Sequence, residues 1–325
     1  MPGVKAWQAA NVERDDWLLT VSDDVTDEVS AVAEQLQHQE RPFLKCSPDD
    51  FAVDATRKLM DEAGRRLTQG LGFVVVDRFP VESLPPAAKS GLAWLLGNML
   101  GRVVAQKWGG TFLYDVRDSG KALQHGVRRS ITNLEQDFHT DGPWLHWTPE
   151  TIGLFCLQPA SEGGESRVAS LLNAVESLAT QPELLSRLQQ PVYWDRQAEH
   201  EPDDRAFSEE PVFFEDQNGP AVRWSPDYVE NGYKLAGQTL ASETKEALAR
   251  VQSALRRPEN FVEFKLAAGQ LLYLDNRRVT HSRQAFRDDH ANRHYIRIWN
   301  RNEGTLHLEG RLPLDLDQVM TAGHS

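Results

Sequence analysis

Ala55, Leu59, Ala63 and Leu67 recur at every fourth position, which predicts a helix opening at Ser47, favoured in its first turn by Asp49 and Asp50 and ended by Gly70. The unbroken apolar run Phe73-Val74-Val75-Val76 predicts a buried strand over Gly72 to Phe79, and a second helix covers Ala87 to Leu100. Beyond Gly110 the apolar runs shorten and Gly, Pro, Asn and Asp separate them, as in a barrel or sandwich. The strands expected there are Thr111 to Val116, Ile152 to Gln158, Val192 to Arg196, Val212 to Glu215, Ala221 to Trp224, Phe261 to Leu266, Gln270 to Leu274 and Arg293 to Asn300. Asn218-Gly219 signals a hairpin, because both residues tolerate the positive φ of tight turns. Helical segments interrupt the strands at Ser170 to Leu188, broken at Pro182, and at Ser242 to Arg256, where Leu248, Val251 and Leu255 form one stripe and Ser242 is the expected cap. Residues 1–45 are polar except for patches such as Trp17 to Leu19, and read as an extension before one unit over 46–325. The fold class is mainly β with flanking helices.

Composition narrows the function. Over 325 residues, 35 Lys and Arg stand against 48 Asp and Glu, a net charge of −13 that repels a phosphate backbone and argues against a nucleic-acid partner. No apolar run reaches the length of a membrane span; Asn98 and Arg102 interrupt the best, Ala93 to Ala105. The N-terminus lacks the apolar stretch of a signal peptide, so a soluble, cytoplasmic protein is expected. Cys46 and Cys156 form no metal or disulfide spacing and read as small buried hydrophobes in a reducing compartment. The oligomeric state is not legible.

The segment Asp137-Phe138-His139-Thr140-Asp141-Gly142-Pro143-Trp144 places His139 and Asp141 two residues apart, a spacing that turns both side chains to one face of extended backbone. Two imidazoles and one carboxylate form the facial triad of non-haem Fe(II) oxygenases, so a distant second His is required. The pair alone says little, because 10 His among 48 acidic residues predict about 1.5 such triplets by chance and the chain has three, the others being His38/Glu40 and His307/Glu309. Only His139/Asp141 lies between strands; the other two fall in the polar extension and in a polar tail.

The segment Leu271-Leu272-Tyr273-Leu274-Asp275-Asn276-Arg277-Arg278-Val279-Thr280-His281-Ser282-Arg283 supplies the context. An apolar strand running through Asp-Asn-Arg to a distal His resembles the taurine dioxygenase (TauD/TfdA), clavaminate synthase-like family of Fe(II)/2-oxoglutarate-dependent dioxygenases, and the resemblance covers roughly residues 110 to 301. It implies His139, Asp141 and His281 as iron ligands, a double-stranded β-helix (jelly-roll) core, and Fe(II), 2-oxoglutarate and O2 as cofactor and co-substrates. Arg293 stands where the family holds the far carboxylate of 2-oxoglutarate, and a guanidinium fork suits that planar group. Ser166, in Gly163-Gly164-Glu165-Ser166, replaces a family Thr and keeps its hydroxyl. Arg297 joins Arg293 and Tyr295 on one face of the last strand, as a co-substrate or substrate contact or as a structural residue. The presence of Asp141 disfavours halogenation, for which family members leave that position open.

The implied reaction is hydroxylation of a small molecule, releasing succinate and CO2. The same site serves desaturation, cyclisation or carbon–heteroatom cleavage, and a non-catalytic jelly-roll binding protein is the alternative of a different class. Metal-dependent hydrolysis lacks a His-Glu-x-x-His motif. Candidate substrate contacts are Trp144, His146 and Trp147, the segment from Tyr114 to Gln136 as a lid carrying Lys121, Arg128 and Arg129, and Arg297 with Arg301 for a carboxylate of an amino acid or small metabolite.

Overall fold

Ten strands sort into two larger sheets and the rest into two-stranded pairs, in a computed structural model that describes residues 4–118, 120, 132–288 and 292–307. In chain order they are β1 (Leu18–Thr20), β2 (Phe73–Asp77), β3 (Leu113–Val116), β4 (Gln136–His139), β5 (Thr151–Gln158), β6 (Ser166–Ser170), β7 (Phe261–Phe264), β8 (Leu271–Asp275), β9 (Val279–Arg283) and β10 (His294–Asn300). The larger sheet has the order β1-β2-β8-β5-β10-β3 and the smaller β7-β6-β9-β4; only the β1–β2 pair is parallel.

Alternation along each strand of the larger sheet feeds two cores. Phe73, Val75, Leu272, Leu274, Tyr295 and Trp299 point to the interior shared with Val168, Ala169 and Val279 of the smaller sheet. Val74, Val76, Leu271, Tyr273, Ile296 and Ile298 point the other way, against a helical layer. Both faces are therefore covered, which explains why Phe73 to Val76 read as a continuous apolar run. The layer consists of α1 (Asp23–His38), α2 (Asp54–Gln69) and α3 (Pro86–Leu100).

Residues 18–38 of the expected polar extension are packed into the fold. β1 adds to the edge of the larger sheet, and Ser22 caps α1 by accepting a hydrogen bond from the Val25 amide. Val25, Val29, Val32 and Ala33 of α1 are buried. Their helical spacing is diluted by intervening Asp, Glu and Gln, so the segment's average polarity conceals one buried stripe.

Other boundaries moved for local reasons. The expected first helix is a 3-10 turn (Pro48–Asp50) followed by α2, since Ser47 caps only the short turn. Ser242 is the first residue of its helix rather than its cap, and its hydroxyl contacts Glu243. The hairpin from Phe213–Asp216 to Gly219–Val222 turns at Gln217-Asn218, one residue earlier than expected, with Gly219 at φ 103° starting the return strand. Cys46 and Cys156 are free and buried. No helix among the described residues is long and apolar enough to cross a membrane.

Candidate active site

β4 and β9 are antiparallel neighbours, and their register sets His139 directly opposite His281, with ring centroids 4.2 Å apart. Beyond β4 the chain stays extended through Thr140, whose amide donates to the Trp224 carbonyl and whose hydroxyl accepts from the Trp224 amide at 2.9 Å. Asp141 then reaches the same face, 3.7 Å from His139 Nε2. Gly142 must be glycine: its φ is +59°, and a Cβ would lie 3.2 Å from the Trp299 ring. Asn276 fixes this bend by accepting from the Asp141 amide at 2.8 Å and donating to the Asp141 carbonyl at 2.9 Å.

The ligand atoms of His139, Asp141 and His281 all lie within 4.8 Å of one another, and all three residues are buried. Among the described residues this is the group able to hold a metal ion. His139 Nδ1 donates to the Asp137 carbonyl at 2.9 Å, which leaves the lone pair on Nε2, where the Gln136 amide makes a 2.8 Å contact. Burial disfavours charge on the Asp141 carboxylate, but Arg297, both histidines and the Trp299 indole outweigh it and hold its pKa down to about 2. Burial and the neighbouring His139 push His281 down to about 3. The donor set is thus two neutral imidazoles and one carboxylate, the composition suited to a divalent iron.

Alternation in β10 delivers Tyr295, Arg297 and Trp299 to this interior. Arg297 Nε donates to the Gln106 side chain at 2.8 Å, and its Nη1 lies 3.2 Å from the Asp141 carboxylate. Trp299 Nε1 donates to Asp141 Oδ2 at 2.8 Å. Arg297 thus serves to hold Asp141. Arg293 is buried, stacks 3.9 Å from the Tyr295 ring centroid, and has two side-chain nitrogens, Nε and Nη1, without hydrogen-bond partners among the described residues. Ser166 is buried at the start of β6, after a Gly163-Gly164 turn held at φ +70° and +73°.

The other candidate substrate contacts have partners within the protein. Arg301 does not face a ligand: its guanidinium donates to the carbonyls of Glu303, Trp147, Thr305 and His307. β10 ends at Asn300, so the alternation that aims Arg297 inward does not extend to Arg301. Trp144 packs against Tyr228 in the core, and His146 pairs with Glu210 at 2.9 Å on the surface. Trp147 lies against Gly304, where a Cβ would meet its ring at 2.9 Å. His307 is buried beside Trp108 rather than in a polar tail. Lys121, Arg128 and Arg129 lie outside the described residues. The roles of Trp299 and Gln106 have no motif to announce them, although Trp299 shares the alternation phase of Arg297, and the Asp-Asn-Arg motif does not disclose the bond from Asn276 to Asp141.

Residues 35–299 match the family described as "Taurine catabolism dioxygenase TauD, TfdA family". The FR-33289 synthase of Streptomyces rubellomurinus is 26% identical over 307 residues, covering 91% of this chain and 89% of that protein. A taurine hydroxylase-like protein of Stachybotrys chartarum is 26% identical over 333 residues, with 94% and 80% covered. Among solved structures, an asparagine oxygenase complexed with Fe(II), 3-hydroxyasparagine and succinate superposes with TM-score 0.67 at 19% identity, covering 88% of this chain and 94% of that one. The non-haem iron oxygenase OrfP with Fe and alpha-ketoglutaric acid gives 0.64 at 14% identity, with 88% and 94% covered.

Proposed function

The chain belongs to the taurine catabolism dioxygenase TauD, TfdA family, and on that premise we propose that it hydroxylates an unactivated C–H bond of a small molecule, consuming 2-oxoglutarate and O2 and releasing succinate and CO2. The observation that carries this reading is the buried meeting of His139, Asp141 and His281, together with the buried Arg293, whose Nε and Nη1 have no hydrogen-bond partner among the described residues. The two sheets are read as the double-stranded β-helix of the family, within a single domain.

In this reading His139, Asp141 and His281 hold Fe(II), and Arg293 with Ser166 binds the far carboxylate of 2-oxoglutarate. When bound, the iron supplies the O2 chemistry, leaving sites open for co-substrate and oxygen. The protein keeps both imidazoles neutral, holds Asp141 ionised, and excludes water from the surrounding aromatic core. An amino acid or a small carboxylated metabolite is the proposed substrate class. Supporting that class, the asparagine oxygenase was crystallised with hydroxyasparagine and OrfP with (3S)-hydroxy-L-Arg.

The test is anaerobic addition of Fe(II) and 2-oxoglutarate, which should produce a weak visible charge-transfer band, followed by O2 with a panel of amino acids and carboxylated metabolites, which should yield succinate. Absence of both band and succinate would favour the non-catalytic binding protein. Trp299→Phe separates positioning from packing: it removes the donor to Asp141 Oδ2 and keeps an aromatic ring. Fe(II) affinity should fall about 10-fold or more while the fold survives. An unchanged Fe(II) Kd would show that Trp299 only fills space.

A further inference from the structure

Arg283 is a buried cation that the chemistry above leaves without a task. It follows His281 by two residues on β9, so alternation turns it toward the same interior, and it is only 7% exposed. Its Nη2 donates to the carbonyls of Thr132, at 2.9 Å, and Leu134, while its Nε has no hydrogen-bond partner among the described residues.

Three further contacts place Arg283 beside the residues assigned to the co-substrate. Both guanidiniums approach the Phe286 ring, that of Arg283 at 4.8 Å and that of Arg293 at 5.2 Å from its centroid. Ser166 stands directly opposite Arg283 in the β6–β9 ladder, which sets their side chains on one face as close cross-strand neighbours. A Cβ on Gly164 would sit 3.7 Å from Arg293 Nε, so the turn leading into Ser166 lies against that arginine. Among the described residues, neither Arg283 nor Arg293 forms an ion pair with a carboxylate.

Three guanidinium nitrogens without partners and two buried charges of one sign are costly unless an anion joins them. We propose that Arg283 and Arg293 together clamp the far carboxylate of the co-substrate, with the Ser166 hydroxyl as a further donor, so that preference for a dicarboxylic 2-oxo acid depends on Arg283 as well as Arg293. The proposal rests on the 2-oxoglutarate reading above.

The experiment is anaerobic calorimetry on the Fe(II)-loaded full chain with two probes, 2-oxoglutarate and oxalate. Oxalate chelates iron but has no far carboxylate. For Arg283→Gln the expected result is a 2-oxoglutarate Kd weakened about 10- to 100-fold, as for loss of a hydrogen bond to a charged group, with oxalate shifted less than about 3-fold. Arg283→Lys keeps the charge without the fork and should fall between wild type and Arg283→Gln. If both probes weaken in parallel, Arg283 only anchors residues 132–134 and the clamp is overturned; an unchanged 2-oxoglutarate Kd overturns it equally. Wild type that binds oxalate and not 2-oxoglutarate would refute the co-substrate reading itself, and the clamp with it.

Discussion

His281→Ala should abolish the anaerobic Fe(II)/2-oxoglutarate band and bring succinate formation to background. The imidazole is one of three donors within 4.8 Å of each other, and its loss leaves only His139 and Asp141, joined by a two-residue spacing. Removing residues that merely support metal ligands costs 10- to 100-fold in affinity or activity, so deletion of a ligand should weaken Fe(II) by more than about 100-fold. Folding should survive, because His281 makes no side-chain hydrogen bond that braces another element and the β9 ladder continues through Thr280, whose hydroxyl donates to the His139 carbonyl at 2.8 Å. Equilibrium dialysis for iron, read beside circular dichroism, checks both halves. A variant that keeps wild-type iron affinity would remove His281 from the site.

Asp216→Ala is expected to give the largest loss of stability, about 3–5 kcal/mol, from a residue that touches no proposed ligand. Its side chain, 8% exposed, accepts from Arg278 and lies 3.2 Å from Arg277 Nη1, and both arginine side chains are only 5% exposed. Two other carboxylates are nearby: Asp275, whose pKa burial raises even with Arg278 alongside, and the exposed Glu303, 3.5 Å from Arg277 Nη2. Without Asp216 two buried guanidiniums would share these weaker counter-charges, and the turn joining β8 to β9 would loosen. Because Asn276 in the same turn holds Asp141, and β9 carries His281, iron affinity should fall together with stability. Urea unfolding should show a lower midpoint with an unchanged m-value. Asp216→Asn, which keeps an acceptor, should cost less; a loss below about 1 kcal/mol for Asp216→Ala would show that Asp275, Glu303 and the Thr148 contacts of Arg277 suffice to hold the turn.

The Asp275-Asn276-Arg277 motif was visible in the sequence, but its work was not. It marks the approach to the distal histidine, and in three dimensions it is a brace: the Asn276 side chain bonds the Asp141 backbone across 135 residues, and Arg277 reaches the Thr148 carbonyl across 129. The arginines were likewise legible as residue types and opaque as roles. Arg293 lies near Gly164, Arg297 is engaged with Asp141 and Gln106, and Arg301 is spent on main-chain carbonyls. Arg283 drew no notice, although it repeats the two-residue spacing from His281 that singled out Asp141 from His139.

What the sequence alone determined is what covalent geometry determines. Alternation aims Tyr295, Arg297 and Trp299 to one side of β10 and Ile296 and Ile298 to the other, and extended backbone brings Asp141 to the face of His139. Apolar runs also located most strands to within a residue or two, because a strand buried on both faces has no polar phase to obscure it. Only the tertiary structure decided which strands are neighbours. It set His281 opposite His139, Ser166 opposite Arg283, and β1 against β2 from a segment that averages as polar. Such pairings are fixed by the burial of two extended cores and by hydrogen bonds between residues over a hundred positions apart, free-energy terms that no local window of the chain contains.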